Sequence, residues 1–230
     1  MENKVVVITG ASRGLGKAIA QVLASKKAKV VVSGRDKKDL QQVAKEIGAT
    51  AIVADVTKEK DVLKLAYDVV AKFGQIDIWV NNAGIWLPRA PIEEVDMKRA
   101  HDMFEVNLFG TVYGARAALA QMRKQGHGTI LNIVSTSALT GRPLSSMYSA
   151  SKYAARGFTD SLREEIKGEG ITVIGAYPGG IKTHLFDEKI PDDYSDYMTP
   201  ESVAQKIVEN LEKTIPETEI IIRRPSQNLK

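Results

Sequence analysis

Tyr148 and Lys152 stand four residues apart in Tyr148-Ser149-Ala150-Ser151-Lys152, and Ser135 precedes Tyr148 by thirteen residues. On a helix, positions i and i+4 share a face, so the Lys152 ammonium can reach the Tyr148 phenol or a ligand shared with it. A tyrosine with its ordinary pKa of about 10 is a poor proton donor at neutral pH. A fixed positive charge beside it favours the phenolate and lowers that value. The phenol can then protonate a developing alkoxide and be reprotonated each turnover. That is the proton chemistry of ketone reduction.

These residues need a scaffold, and the pattern along the chain supplies one. Short β-branched runs at Val5 to Thr9, Val30 to Ser33, Ala51 to Ala54, Ile76 to Val80, Thr129 to Val134, Ile171 to Ala176 and Ile220 to Ile222 predict seven strands. Amphipathic stretches between them predict helices ending near Ala24 and covering about Asp36–Ile47, Lys58–Phe73 and Met147–Lys167. A long helix is expected within Asp96–Gln125, and another begins at Thr199-Pro200-Glu201. Nearly continuous apolar strands alternating with helices predict an α/β fold, a parallel sheet covered on both faces with right-handed crossovers. Ligands belong at the carboxyl ends of such strands, where Ser135 is placed. The longest irregular stretch, Pro178 to Met198, reads as a lid.

Gly10, Gly14 and Gly16 fall between the first strand and the first helix, in Thr9-Gly10-Ala11-Ser12-Arg13-Gly14-Leu15-Gly16. A tight turn there brings backbone N–H groups against a pyrophosphate, and the helix N-terminus adds partial positive charge. The spacing, Gly-x-x-x-Gly-x-Gly, is not the commoner dinucleotide fingerprint.

Together with Asn81-Asn82-Ala83-Gly84, Asn107, Ser135, Tyr148, Lys152 and Pro178-Gly179, this loop resembles the short-chain dehydrogenase/reductase family over nearly the whole chain. The resemblance implies a Rossmann fold, with a single doubly wound seven-stranded sheet, in one domain spanning residues 1–230, and an enzyme that uses NAD(H) or NADP(H). It implies that Gly10, Ser12, Arg13, Gly14, Leu15 and Gly16 contact the cofactor, that Asp55 and Val56 hold its adenine end, and that Asn82, Ala83 and Gly84 line its cleft. Tyr148 would be the general acid for reduction and Lys152 would tune it and hold the nicotinamide ribose. Pro178, Gly179, Ile181 and Thr183 would bind the cofactor, meeting the carboxamide through Ile181 and Thr183.

The family's offset to Tyr148 selects Ser135 over Ser137 and over Ser145, Ser146, Ser149 and Ser151, to orient the carbonyl oxygen. None of these serines sits in a Gly-x-Ser-x-Gly elbow, which disfavours a seryl nucleophile. Asn107 would complete the catalytic group; inside a predicted helix, its side chain can mark a distortion and hold a water that relays protons to Lys152.

Where NAD-binding folds carry an acid at the end of the second strand, this chain has Ser33-Gly34-Arg35-Asp36. Arg35 and Arg13 can flank a 2′-phosphate, and Asp36 reads as a helix N-cap, so NADP(H) is expected over NAD(H). Apolar residues at Ile85-Trp86-Leu87, Leu139 to Met147 and Leu185-Phe186 suggest a hydrophobic or aromatic carbonyl substrate. The expected activity is reversible NADPH-dependent reduction of a small-molecule ketone or aldehyde. Reduction of a 3-oxoacyl carrier thioester stays open beside it. A non-catalytic NADP(H)-binding redox sensor is the alternative of another class.

Bulk properties narrow the field. The 230 residues are 43% hydrophobic and 26% charged, enough for one sizeable core. Thirty-two basic residues against 28 acidic ones are spread along the chain, which argues against nucleic acid as a partner. Arg223-Arg224 before Pro225 reads as a solvated end. There is no cysteine, and the three histidines lack metal-ligand spacing, so no metal site is expected. Nothing resembles a secretory signal or a membrane span, so a cytoplasmic protein with no membrane partner is expected, assembling as a homodimer or homotetramer by family resemblance.

Overall fold

The computed structural model describes residues 1–224 and Ser226, so Pro225 lies outside them. In chain order the elements are β1 (Val5–Thr9), α1 (Gly14–Ser25), β2 (Lys29–Gly34), α2 (Lys37–Ile47), β3 (Thr50–Val53), α3 (Glu59–Phe73) and β4 (Ile78–Asn81). Then follow α4 (Met97–Phe104), α5 (Gly110–Gln125), β5 (Gly128–Ile133), α6 (Ser146–Glu165), β6 (Ile171–Pro178), α7 (Pro200–Leu211) and β7 (Glu219–Ile222). All seven strands pair in parallel, in the order β3-β2-β1-β4-β5-β6-β7. The order reverses between β1 and β4, which opens a crevice beyond their carboxyl ends.

The alternation along β1 shows how the layers form. Val6 and Ile8 face a core with Leu15 and Ile19 of α1, Leu40 of α2 and Ile207 of α7. Val5 and Val7 face the opposite core, with Leu65 of α3, Ala118 of α5 and Leu162 of α6. A strand buried on both sides has no polar face, which is why its sequence is an unbroken apolar run.

The helix expected within Asp96–Gln125 is interrupted. Residues Glu105–Phe109 make a π turn between α4 and α5, with Asn107 at its centre. Single π turns widen a helix by one residue and occur mostly at functional sites. Beneath that turn a buried polar network crosses the sheet. The Trp79 indole donates to Asn81 Oδ1 at 2.8 Å, Asn81 Nδ2 to Asn132 Oδ1 at 2.9 Å, and Asn132 Nδ2 to Thr159 Oγ1 of α6 at 2.9 Å. No helix among the described residues is long and apolar enough to cross a membrane.

Candidate active site

A cleft of about 660 Å³ lies along the carboxyl ends of the strands. On its β5 and β6 side stand Ser135, just past β5, and Tyr148 and Lys152, one turn apart on α6. The Ser135 hydroxyl stands beside the Tyr148 phenol, and the Lys152 ammonium lies 5.9 Å from the phenol ring centroid. Lys152 Nζ also donates to the Ile133 carbonyl at 3.2 Å, which fixes the long side chain across the end of β5.

Ser137 lines the cleft as well, but its backbone N–H donates to Ser135 Oγ at 3.1 Å and so helps to aim the Ser135 hydroxyl. Ser149 and Ser151 are buried under the helix.

Burial changes the electrostatics expected from the pair alone. Tyr148 is half-buried and lines the cleft among closely packed protein atoms. Desolvation pushes its pKa up to about 12, against the nearby Ser135 hydroxyl, which pulls it down. Desolvation likewise lowers Lys152 to about 8. Both shifts disfavour a charged form. The lowered phenol expected from a Lys152 charge is thus overridden here by burial. Near neutral pH the site holds a protonated phenol beside a mostly charged ammonium.

Asn107 does not line the cleft; it is buried behind it. Its carboxamide accepts from the Ile85 N–H at 2.9 Å and donates to the Ile85 carbonyl at 3.0 Å and to Ser151 Oγ at 3.1 Å. Ser151 in turn donates to the Tyr148 carbonyl at 2.8 Å. Both amide donors are therefore committed. The side chain fastens the segment following β4 to the helix carrying Tyr148.

On the other side of the switch point the cleft is lined by Gly10, Ser12, Arg13, Gly14 and Leu15, by Arg35, and by Asp55 and Val56. Gly10 has φ 63°, and a Cβ there would stand 2.7 Å from Ala83 Cα, so this turn requires glycine. Thr9 Oγ1 accepts from the Asn82 and Ala83 N–H groups at 3.0 and 3.2 Å, and Asn82 Nδ2 donates to the Thr9 and Gly10 carbonyls. Thr9 is a staple that the glycine spacing alone does not reveal. Gly16 lies outside the cleft: it is buried against Asn82 and serves the turn, contrary to the contact expected of it.

The fit to a dinucleotide rests on α1. Its N-terminus has no side-chain cap, no acid occupies its first turn, and at Gly14 a Cβ would fill the gap to Thr183 at 3.3 Å. Uncapped N–H groups behind an open gap suit a pyrophosphate. Ala83, Gly84, Pro178, Gly179, Ile181 and Thr183 complete the lining. Asp36 caps α2 by accepting from the Asp39 N–H at 2.9 Å, as its position predicted.

Two expectations change at the substrate end. Ile85, Trp86, Leu185 and Phe186 line the cleft, with Trp86 and Phe186 in edge contact at 5.0 Å. Of Leu139 to Met147, however, only the polar Arg142 and Ser145 do so. Leu139 instead packs on Val134, Ala138 and Ala155. Arg224 is no solvated end. The chain leaves β7 at the sheet's carboxyl edge, and the Arg224 side chain, 13% exposed, turns into the cleft and pairs with Asp193 at 2.7 Å. Sequence reading also missed Arg89, Asp193 and Tyr197, because loops distant in sequence bring them together.

Residues 4–193 match the family described as short chain dehydrogenase. An uncharacterised oxidoreductase of Staphylococcus saprophyticus is 42% identical over 192 residues, covering 80% of this chain and 81% of its own. Among solved structures, a 3-ketoacyl-(acyl-carrier-protein) reductase from Brucella melitensis complexed with NADH superposes with a TM-score of 0.90 at 30% identity, over 96% of this chain and 97% of that one. An alcohol dehydrogenase from Thermococcus sibiricus complexed with 5-hydroxy-NADP gives 0.87 at 28%, over 97% of each chain. With its cleft, its Ser135-Tyr148-Lys152 cluster and these likenesses, the chain belongs to the short-chain dehydrogenase family and is an oxidoreductase that uses a nicotinamide dinucleotide.

Proposed function

We propose that this protein is an NADPH-dependent carbonyl reductase that interconverts a ketone or aldehyde with its alcohol. The observation that carries the reading is the convergence of Ser135, Tyr148 and Lys152 on one wall of the cleft at the carboxyl end of β5. A reduced dinucleotide bound in the cleft would supply the hydride. Ser135 donates a hydrogen bond to the carbonyl oxygen, Tyr148 gives that oxygen its proton, and Lys152 stabilises the phenolate left behind. Asn107 holds Ile85 and α6 in register so that these groups converge. The test is loss of reduced-nicotinamide absorbance with NADPH or NADH across ketones, aldehydes, diketones and acetoacetyl thioesters. Cofactor binding with no turnover on any of them would leave the sensor reading in its place.

Preference for NADPH rests on Arg35 and Arg13, which share the cleft, and on Gly34 where an acid would repel a 2′-phosphate. Arg35→Ala is expected to weaken NADPH by roughly tenfold or more, the worth of a charge-assisted contact, and NADH by much less. Fluorescence titration measures both, and NADH binding as tightly as NADPH in the unaltered protein would reverse the assignment.

The lowered Lys152 gives a pH signature. Its positive charge is present below about 8 and lost above, so kcat/KM for reduction should be flat toward neutral pH and fall as pH rises through that value. Alcohol oxidation needs the phenolate instead and should accelerate with pH. A reduction profile that climbs above pH 8 would contradict these roles.

One sheet that takes in every strand supports a single domain. Exposed Phe109 and Tyr153, at the start of α5 and on α6, support a homodimer or homotetramer formed through these helices, which a monomeric mass by light scattering would exclude.

A further inference from the structure

One corner of the cleft is built from four separate segments and carries one more positive than negative charge. Arg89, Arg142 and Arg224 line it, with Asp193 as the carboxylate among them. Asp193 bridges two of the arginines, with Arg89 Nη2 at 3.3 Å from Oδ1 and Arg224 Nη1 at 2.7 Å from Oδ2. Asp196 reaches Arg224 from behind at 3.5 Å. The Tyr197 hydroxyl donates to Asp193 at 3.3 Å, and its ring lies under the Arg224 guanidinium at 5.2 Å.

Arg142 belongs to the same corner. The Ala90 N–H, next to Arg89, donates to the Leu144 carbonyl at 2.9 Å, and the Ser145 N–H closes a turn onto the Arg142 carbonyl. Leu144 takes φ 58°, a conformation that a leucine keeps only when its surroundings enforce it. That turn holds Arg142 and Ser145 at the cleft wall. Among the described residues Arg142 has no carboxylate partner, so three guanidiniums face two carboxylates in a partly enclosed corner.

We propose that this corner is an anion subsite and that the substrate is an oxo acid, its carboxylate on Arg142 beside the Arg89–Asp193–Arg224 bridge. The inference rests on the reductase reading above and deepens it. A guanidinium without a carboxylate partner leaves net positive charge at this wall, which an anion entering the cleft meets favourably. The planar guanidinium fork fits a carboxylate with two parallel hydrogen bonds. Trp86, Leu185 and Phe186 provide an apolar wall for the carbon chain between carbonyl and carboxylate. This revises the hydrophobic carbonyl compound expected from the sequence.

The test compares kcat/KM for acetoacetate and levulinate with that for their methyl esters, in the unaltered protein, Arg142→Gln and Arg142→Lys. Acids should exceed esters by about tenfold or more, a ratio that collapses toward one in Arg142→Gln and is largely restored in Arg142→Lys. A second readout needs no turnover: succinate titrated by calorimetry into the protein with NADPH should bind, and Arg142→Gln should abolish that binding. Esters or acetoacetyl thioester preferred over the acids, with no succinate binding, would overturn the proposal. Should no carbonyl compound turn over, the reductase reading fails, while succinate binding lost in Arg142→Gln would still uphold the anion subsite.

Discussion

Tyr148→Phe is expected to lower kcat for carbonyl reduction by about 10²–10⁴-fold, the usual contribution of a positioned general acid, while weakening NADPH by less than about tenfold. The substitution removes one oxygen and leaves the ring that Lys152 approaches at 5.9 Å. With its pKa pushed up to about 12, the phenol is protonated through the neutral range and is a weak acid. It becomes an effective donor only when the acceptor is a developing alkoxide, which is far more basic than a phenolate. Transfer then turns a buried neutral phenol into a buried anion, and the Lys152 ammonium is the charge that makes the anion tolerable. Lys152 and Tyr148 therefore titrate as a pair during turnover, even though burial dominates each in the resting protein. Ser135→Ala should cost less, because Tyr148 can still approach the oxygen that Ser135 would orient. Stopped-flow reduction beside a cofactor titration separates the two effects in Tyr148→Phe. Activity retained within tenfold of the unaltered protein would remove Tyr148 from the proton path.

What the sequence reveals divides along physical lines. The pairing of Tyr148 with Lys152 is legible because helix periodicity alone places i and i+4 on one face, and α6 indeed runs from Ser146 to Glu165. The glycine turn is legible because its φ values exclude most side chains, and the sheet because doubly buried strands cannot hide their apolar runs. Arg224 is illegible: nothing local distinguishes it from a frayed end, and only the direction in which β7 delivers the chain brings it to Asp193. Arg142 lies in a stretch whose leucines suggest an apolar wall, but a left-handed Leu144 reverses which residues face the cleft. The Tyr148 phenol runs against the expected direction for a related reason. A charge four residues away can be read from sequence, whereas the desolvation that outweighs it comes from the packed loops above.

Gly114→Ala should destabilise the protein by roughly 1–5 kcal/mol, although by helix propensity the same change in the interior of α5 would favour folding by about 1 kcal/mol. The added Cβ would fall onto Asn81 Oδ1 and stand 2.7 Å from Trp79 Nε1. Neither neighbour can yield cheaply. Trp79 is fully buried, and Asn81 is held by the Trp79 indole, the Thr111 carbonyl and Asn132. Overpacking costs about 1–3 kcal/mol, and parting Trp79 from Asn81 leaves a buried donor and acceptor unpaired at about 1–3 kcal/mol more. Gly157→Ala provides the matched comparison: within one chain it lies inside α6 with no atom of another element within 4 Å of the new methyl, so propensity should raise the stability of the protomer by up to about 1 kcal/mol. Urea unfolding midpoints of the two variants should move in opposite directions, and a Gly114→Ala midpoint at or above that of the unaltered protein would refute the packing argument. The consequence reaches the chemistry, because the strained network continues from Asn81 through Asn132 to Thr159 on α6. Displacing Asn81 therefore loosens the helix that presents Tyr148 and Lys152, and the residual activity of Gly114→Ala should fall further than its folded fraction.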